Sequence, residues 1–286
     1  MITIQSALEL GQEALSKLPS PKFEAELLLS FAMDVNRSTL IAFPERILSS
    51  EAERLFQTLL ARRANGEPFA YITGEKEFYG LSFIVSDETL IPRDDTEVIV
   101  DTALSLIPAI STLTENQQSF NLLDLGTGTG AIALAIKSMR PDINVTALDY
   151  YEGTLNIAKQ NAIRNSLDVA FLQSNWFSNA PKAHFDMIVS NPPYIDPIDT
   201  HLEGDGVKFE PKRALIADNH GLSDLYHLIE TAPLYFRESG WLLLEHGYDQ
   251  KEALQAKMME CGYQEIKTHQ DYGANDRVTL GFYSAK

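Results

Sequence analysis

A single cysteine, Cys261, stands in a chain of 286 residues. Its isolation excludes an internal disulfide and a cysteine-built zinc cage, fits a reducing compartment, and leaves Cys261 a packing role near a helix end. Histidine is also sparse. None of the six forms a His-x-x-x-His pair or stands beside a nucleophile motif, so neither a metal centre nor a histidine-driven triad is expected. His246, next to Glu245 at a strand end, reads as a near-core histidine rather than a catalyst. No apolar stretch approaches the roughly 20 residues that a membrane span requires, and Met1-Ile2-Thr3-Ile4-Gln5 is not a basic segment leading into an apolar run. The expectation is a soluble, cytoplasmic protein. Positive charge is short too: 23 Lys and Arg against 40 Asp and Glu leave a formal net charge of -17. That balance opposes any binding mode that neutralises many phosphates, so no direct nucleic-acid substrate is expected. The acidic surface serves either solubility or a basic protein partner.

What is present is enough apolar sequence, 44% of residues, to bury a sizeable core, and a pattern that divides the chain. Residues 1–66 read as a helical bundle. Apolar positions recur at helical spacing in Ile4-Ala7-Leu8 and Leu55-Leu59-Leu60, Ser20-Pro21 opens a second helix, and Ser49 or Ser50 caps a third. Residues 67–93 read as a linker with a β-hairpin, from Phe78-Tyr79 and Phe83-Ile84-Val85 around Gly80. From residue 94 to 286 strands and helices alternate, beginning with a helix from Asp95 to about Ile107 whose first turn is acidic. Then come Asn121 to Leu125, Ala131 to Ser138, Asn144 to Leu148, Glu152 to Ile163, Val169 to Leu172 and Phe185 to Ser190. The pattern closes with a helix over Leu222 to Phe236, a strand at Trp241 to Leu244, a helix from Gln250 to Met259, and two strands near Ile266 and Val278 that suit an antiparallel hairpin. Such alternation predicts an α/β, Rossmann-like domain with a mostly parallel sheet and a C-terminal antiparallel hairpin.

Leu122-Leu123-Asp124-Leu125-Gly126-Thr127-Gly128-Thr129-Gly130 follows a strand and opens a helix, where an α/β sheet binds nucleotide-like ligands. The glycines permit a sharp turn and close backbone approach. Asp149 ends the next strand, where a carboxylate can accept both ribose hydroxyls. The spacing of Gly126, Gly128 and Gly130 is not the Gly-x-Gly-x-x-Gly of dinucleotide sites, and no Lys-Ser or Lys-Thr pair directly follows Gly130 to make a triphosphate loop. Asp124 would repel phosphates yet suits a cofactor with an ammonium and a sulfonium. S-adenosylmethionine carries both, with S-adenosylhomocysteine as product, and an oxidoreductase is correspondingly disfavoured.

Asp186-Met187-Ile188-Val189-Ser190 is a buried-strand pattern, and Asn191-Pro192-Pro193-Tyr194 follows at its carboxyl end, facing the same crevice. Two prolines stiffen a segment that must hold a nitrogen lone pair in line with a methyl carbon and its departing sulfur. If the Asn191 side-chain oxygen and the Pro192 carbonyl each accept one N–H, a planar nitrogen can rehybridise and attack; Tyr194 can pack on the flat group. No general base is assigned. Trp176 is open to two readings, as core or as a flank to an adenine ring.

Together these motifs resemble the release factor glutamine methyltransferases, which methylate the side-chain amide of the glutamine in the Gly-Gly-Gln loop of class I peptide chain release factors. The resemblance spans nearly the whole chain. It rests on Pro68-Phe69-Ala70-Tyr71-Ile72-Thr73-Gly74, Leu90-Ile91-Pro92-Arg93, the loop at Asp124 to Gly130, Asn191 to Ile195, Phe209-Glu210-Pro211 and Arg277-Val278-Thr279-Leu280-Gly281. It implies that Gly126, Thr127, Gly128, Thr129, Gly130, Asp149, Trp176 and Asn191 contact cofactor. It further implies that Asn191, Pro192, Pro193 and Tyr194 hold the glutamine, and that the N-terminal bundle grips the release factor. Asp94 departs from the family pattern, which usually has a proline there. Two other readings share these residues: an adenine or other amino-nitrogen methyltransferase acting on DNA or RNA, and a cofactor-binding interaction module without chemistry.

Overall fold

The computed structural model describes residues 2–109, 119–182, 184–204 and 206–285. They form two compact units, one of Met1–Gly74 with His201–Phe209, the other of Glu75–Thr200 with Glu210–Lys286.

The first unit is helical. Its helices are Ile4–Ala14, Pro21–Met33, Arg37–Ala42, Ser50–Ala64 and Phe69–Thr73. Thr3 Oγ1 accepts from the Ser6 amide at 3.2 Å and Ser49 Oγ from that of Ala52 at 3.1 Å, satisfying donors that the helix itself leaves open. Pro21 occupies a first-turn position, where its missing N–H costs nothing. The inward stripes, Ile4, Ala7, Leu28, Leu29, Phe56 and Leu59 among them, meet in one core. Gly11 lets the first two helices close up, since a Cβ there would lie 2.8 Å from that of Ala25. A partly buried ion pair crosses the bundle, Arg63 Nε to Glu24 Oε2 at 3.1 Å and Nη2 to Oε1 at 3.2 Å.

The second unit begins with a hairpin, β1 (Glu75–Phe78) and β2 (Leu81–Ile84). Its turn residues, Tyr79 and Gly80, both have positive φ (51° and 75°), the geometry whose twist matches paired strands. The segment 67–93, read from sequence as one linker, is therefore divided: helix Phe69–Thr73 lies in the first unit and the hairpin in the second. Asn161, fully buried on helix Glu152–Arg164, holds the hairpin through both its amide atoms. Its Oδ1 accepts from Ile84 N at 2.7 Å while Nδ2 donates to Ile84 O and, at 2.9 Å, to Thr129 O in the glycine loop.

The main sheet contains β3 (Asn121–Leu125), β4 (Asn144–Asp149), β5 (Ala170–Gln173), β6 (Phe185–Ser190), β7 (Phe236–Glu245), β8 (Gln264–Gln270) and β9 (Asp276–Ser284), in the order β5-β4-β3-β6-β7-β9-β8. The first five run parallel; β9 is antiparallel to both β7 and β8. This is the expected Rossmann-like sheet with its antiparallel end. Helices Glu97–Leu106, Ala131–Met139, Glu152–Arg164, Ser223–Thr231 and Lys251–Glu260 accompany it. The helix expected over Leu222 to Phe236 stops at Thr231 and tightens into a 3-10 turn at Ala232–Leu234, because Pro233 lacks the N–H that an α-helix would use. The freed residues extend β7 back to Phe236. Cys261 caps the last helix, partly buried against the core. No helix among the described residues is long and apolar enough to cross a membrane.

Candidate active site

Strand register places the site. Leu125 at the end of β3 pairs with Leu148 of β4 on one side and with Ser190 of β6 on the other. The three following loops therefore leave the sheet level with one another, at the point where the strand order reverses and α/β sheets bind ligands. The Ser190 hydroxyl donates to the Leu125 carbonyl at 2.7 Å and ties the two strand ends.

After β3 the chain turns through Gly126, Gly128 and Gly130, with φ of 68°, 57° and 86°, a region that side chains rarely enter. The Thr127 amide donates to the Leu148 carbonyl at 2.8 Å, and its hydroxyl donates to Asp124 Oδ2 at 2.6 Å. Asp124 is fully buried; desolvation lifts its carboxyl to about 7, opposed by the Thr127 hydroxyl and the Ala133 backbone N–H. Asp149, at the end of β4, accepts from Gly128 N with Oδ2 and from Tyr151 N with Oδ1, each at 3.0 Å. Burial raises it as well, with those backbone bonds opposing. Each Asp149 oxygen keeps a further lone pair, which suits vicinal ribose hydroxyls.

These loops bound a cleft of about 330 Å³. Of the residues singled out from sequence, Gly126, Thr127, Gly128, Thr129, Asp149, Trp176, Asn191 and Pro193 line it. Trp176, itself at φ 47°, lays its ring over the glycine turn, where a Cβ on Gly126 would lie 3.3 Å away. Gly128 has nothing within 4 Å of its missing Cβ. An indole, a glycine floor and a carboxylate with spare acceptor capacity fit an adenosine-bearing ligand. Asp124, Gly130, Pro192 and Tyr194 do not line the cleft. Asp124 holds the loop through Thr127, Gly130 packs against Leu134, and Tyr194 turns its hydroxyl to Glu245 Oε1 at 3.3 Å.

The reaction loop is pinned on several sides. Ile195 N donates to Leu215 O at 2.9 Å, and Gln250 Nε2 donates to Tyr194 O at 2.9 Å. Gly221 is obligatory there, since a Cβ would lie 2.0 Å from the Tyr194 carbonyl oxygen. Asn191 Nδ2 donates to Thr96 Oγ1 at 3.3 Å, so its Oδ1 is left to accept.

Sequence reasoning assigned no individual role to the side chains that brace these loops, although Arg93 and Glu210 lie in segments that carry the resemblance. Arg213 pairs with the Glu88 carboxylate and stacks over the Tyr151 ring at 4.3 Å. Glu210, buried, accepts from Ile91 N at 3.1 Å and from the Arg93 guanidinium, joining two motifs that the sequence keeps far apart. Thr96 and Glu245 were also missed. Only Glu245 carried a local signal, as an acid ending an apolar strand in the way Asp149 does. The first turn is acidic as expected, but its acids make no side-chain cap. Asp94 takes Lys76 at 2.8 Å, Glu97 accepts from Tyr79 N at 3.1 Å, and a 3-10 turn over Asp94–Thr96 precedes the helix. His246 is buried, bonded to Gly247 O and Thr279 Oγ1 at 2.7 Å each, as a core histidine. No group of metal-binding side chains occurs among the described residues.

Two family models match the chain, the PrmC N-terminal domain over residues 6–74 and the methyltransferase small domain over 98–204. Relatives named release factor glutamine methyltransferase include those of Shewanella oneidensis, 47% identical over 92% of this chain and 89% of that protein, and Vibrio cholerae, 45% identical over 100% and 98%. The Escherichia coli relative of the same name is 44% identical over 95% and 97%. Among solved structures, a methyltransferase from Pyrococcus furiosus aligns with a TM-score of 0.54 at 19% identity, covering 80% of this chain and 100% of that one. The catalytic domain of hMettl16 in complex with MAT2A 3'UTR hairpin 1 gives 0.55 at 16%, covering 82% and 80%. Structures this distant share the fold only, whereas these sequence relatives match over 92–100% of the chain. The chain belongs to the release factor glutamine methyltransferase family.

Proposed function

We propose that this protein transfers a methyl group from S-adenosylmethionine to the side-chain amide nitrogen of the glutamine in the Gly-Gly-Gln loop of class I peptide chain release factors, in the cytoplasm. The observation that carries the reading is the Asn191 carboxamide, anchored through its NH2 on Thr96, with its oxygen free on the wall of a cleft floored by the glycine turn.

An amide nitrogen is a poor nucleophile because its lone pair is delocalised into the carbonyl. Asn191 Oδ1 and the Pro192 carbonyl take its two N–H groups, which lets the nitrogen rehybridise. The prolines and the pinned backbone of Tyr194 and Ile195 hold these acceptors still, so little reorganisation remains at the moment of attack. Tyr194, outside the cleft with its hydroxyl on Glu245, holds the loop against which the flat amide packs. S-adenosylmethionine, when bound, supplies an electrophilic methyl on a sulfonium. Asp149 holds its ribose, Trp176 flanks its adenine, and Gly126 to Gly130 make room for the chain bearing the sulfur. Asp124 contributes negative charge from behind the loop. The N-terminal helical unit grips the release factor outside its reactive loop. The net charge of -17 favours a basic protein surface over a nucleic-acid backbone.

Incubation with methyl-labelled S-adenosylmethionine and a class I release factor tests this, beside the same factor carrying Gln→Ala in its Gly-Gly-Gln loop. Label on the first alone is the expected result. Equal label on both would reject the target, and label on DNA or RNA instead would reject the substrate class. N191A, which removes one acceptor, should lower kcat on the order of 10²-fold while leaving the fold intact.

A further inference from the structure

Glu245 is a carboxylate that the proposed chemistry does not use, yet it sits directly behind the reaction loop. It ends β7, is 1% exposed, and accepts from the Tyr194 hydroxyl with Oε1 at 3.3 Å while Oε2 has no hydrogen-bond partner. The Thr96 side chain faces the same carboxyl and favours its ionised form. Thr96 Oγ1 in turn accepts from Asn191 Nδ2. Each hydroxyl has one proton. With Asn191 donating to the Thr96 oxygen, that proton must go elsewhere, and an anionic carboxylate, which can only accept, is the neighbour that fixes its direction.

We propose that Glu245 is a positioning residue: in its ionised form it draws the protons of Thr96 and Tyr194 toward itself, and so turns the oxygen of Asn191, rather than its NH2, toward the amide to be methylated. The polarity of the relay is what matters. A neutral amide at position 245 could donate to Thr96, whose proton would then point to Asn191 and reverse its carboxamide, presenting donors to a substrate that is itself a donor. A protonated Glu245 would weaken the same order.

Burial lifts the Glu245 carboxyl to about 7, opposed by Thr96, by the positive charge of Arg277 on β9 and by Tyr194, and assisted by Asp95 in the turn before helix Glu97–Leu106. Arg277 is itself shared with Asp271, at 3.0 Å, and with Asp95, at 3.7 Å. His246, the next residue on β7, is kept neutral by burial and does not compete for the proton near that pH. Because the carboxyl is raised, acidification from pH 8 to 6 protonates it, and the ordering of Asn191 should fade over that range.

The kinetic test rests on the glutamine-methylation reading; a spectroscopic one does not. With selectively 15N-Asn-labelled protein, the Asn191 side-chain NH2 resonance, identified by its loss in N191D, should titrate with a midpoint about 7, and the titration should vanish in E245Q. In release-factor assays, E245Q and T96V should each lower kcat by about tenfold or more, with calorimetric affinity for S-adenosylmethionine held within about twofold. T96S, which keeps the hydroxyl, should recover most of the loss, and the acid limb of the wild-type kcat profile should flatten in E245Q. If E245Q does not fold, the T96V and T96S pair decides. An Asn191 resonance indifferent to pH, or T96V turnover equal to wild type, would overturn the relay. A wild-type chain that fails to label release factor would sink the functional reading while leaving the resonance test standing.

Discussion

Two residues, one in the glycine turn and one buried behind it, make different demands on the fold. Gly126, at φ 68°, has the Trp176 ring where a side chain would begin. Alanine there costs about 1–2 kcal/mol in left-handed strain and must push the indole away from the ligand face. G126A should therefore weaken S-adenosylmethionine binding by about tenfold or more, beyond its effect on melting temperature. Calorimetry on the folded variant checks this, and unchanged affinity would place the indole outside the binding surface. Asp124 concerns stability instead. Its folded-state pKa, about 7, stands above that of an unfolded aspartate, so the unfolded chain ionises first as pH rises and stability is lost between about 4 and 7. D124N keeps an acceptor for Thr127 without that penalty. It should melt higher than wild type at pH 8, by an amount that shrinks on acidification to pH 5; a lower melting temperature at every pH would mean the buried charge is compensated.

At the scale of elements, the parts legible in sequence were those built from neighbours in the chain. A strand, a glycine turn and a helix announced the cofactor loop, and a buried strand followed by Asn191-Pro192-Pro193-Tyr194 announced the reaction loop. What holds these loops was not legible. Asn191 meets Thr96 and Ile91 meets Glu210 across long separations, and no periodicity records which side chains a fold will bring together. The same limit hid Asn161, polar in a helix yet buried because it serves both the hairpin and the glycine loop, and the return of 201–209 to the first unit. Pro233 is the exception, a helix breaker visible in the sequence inside the span expected to be helical. Glu210 gives the consequence for function, since it accepts from both Ile91 N and Arg93 in the Leu90 to Arg93 wall. E210A leaves the Ile91 N–H without this acceptor and should cost about 1–3 kcal/mol, whereas E210Q retains one and should cost less. Denaturant midpoints separate the two, and equal loss in both would assign the strap to the Arg93 ion pair instead.

For the whole molecule, charge sets the conditions under which the site is stable. A net charge of -17 repels itself, and screening relieves it, so added salt should raise the melting temperature even where it breaks individual exposed ion pairs. Acidification acts in the same direction at first, through two buried carboxyls, Asp124 and Glu245, both lifted to about 7. Each raised acid is held protonated by the folded state more strongly than by the unfolded one, so lowering the pH from 8 toward 6.5 adds stability. His246 opposes the trend. Burial lowers its pKa, so below about 6.5 the unfolded histidine takes up a proton that the folded one refuses, which offsets part of the gain from the two carboxyls; that gain itself levels off once the unfolded acids also protonate, near pH 4. The opposed slopes predict a stability maximum on the acid side of neutrality, whereas ionised Glu245, which orders Asn191, is favoured on the alkaline side. Melting temperature against pH should peak below the pH at which kcat levels off. In E245Q the stability curve should flatten on its alkaline flank, because that variant has lost one of the raised acids that tilt it; a flank as steep as in wild type would assign the slope to Asp124 and the other raised acids instead.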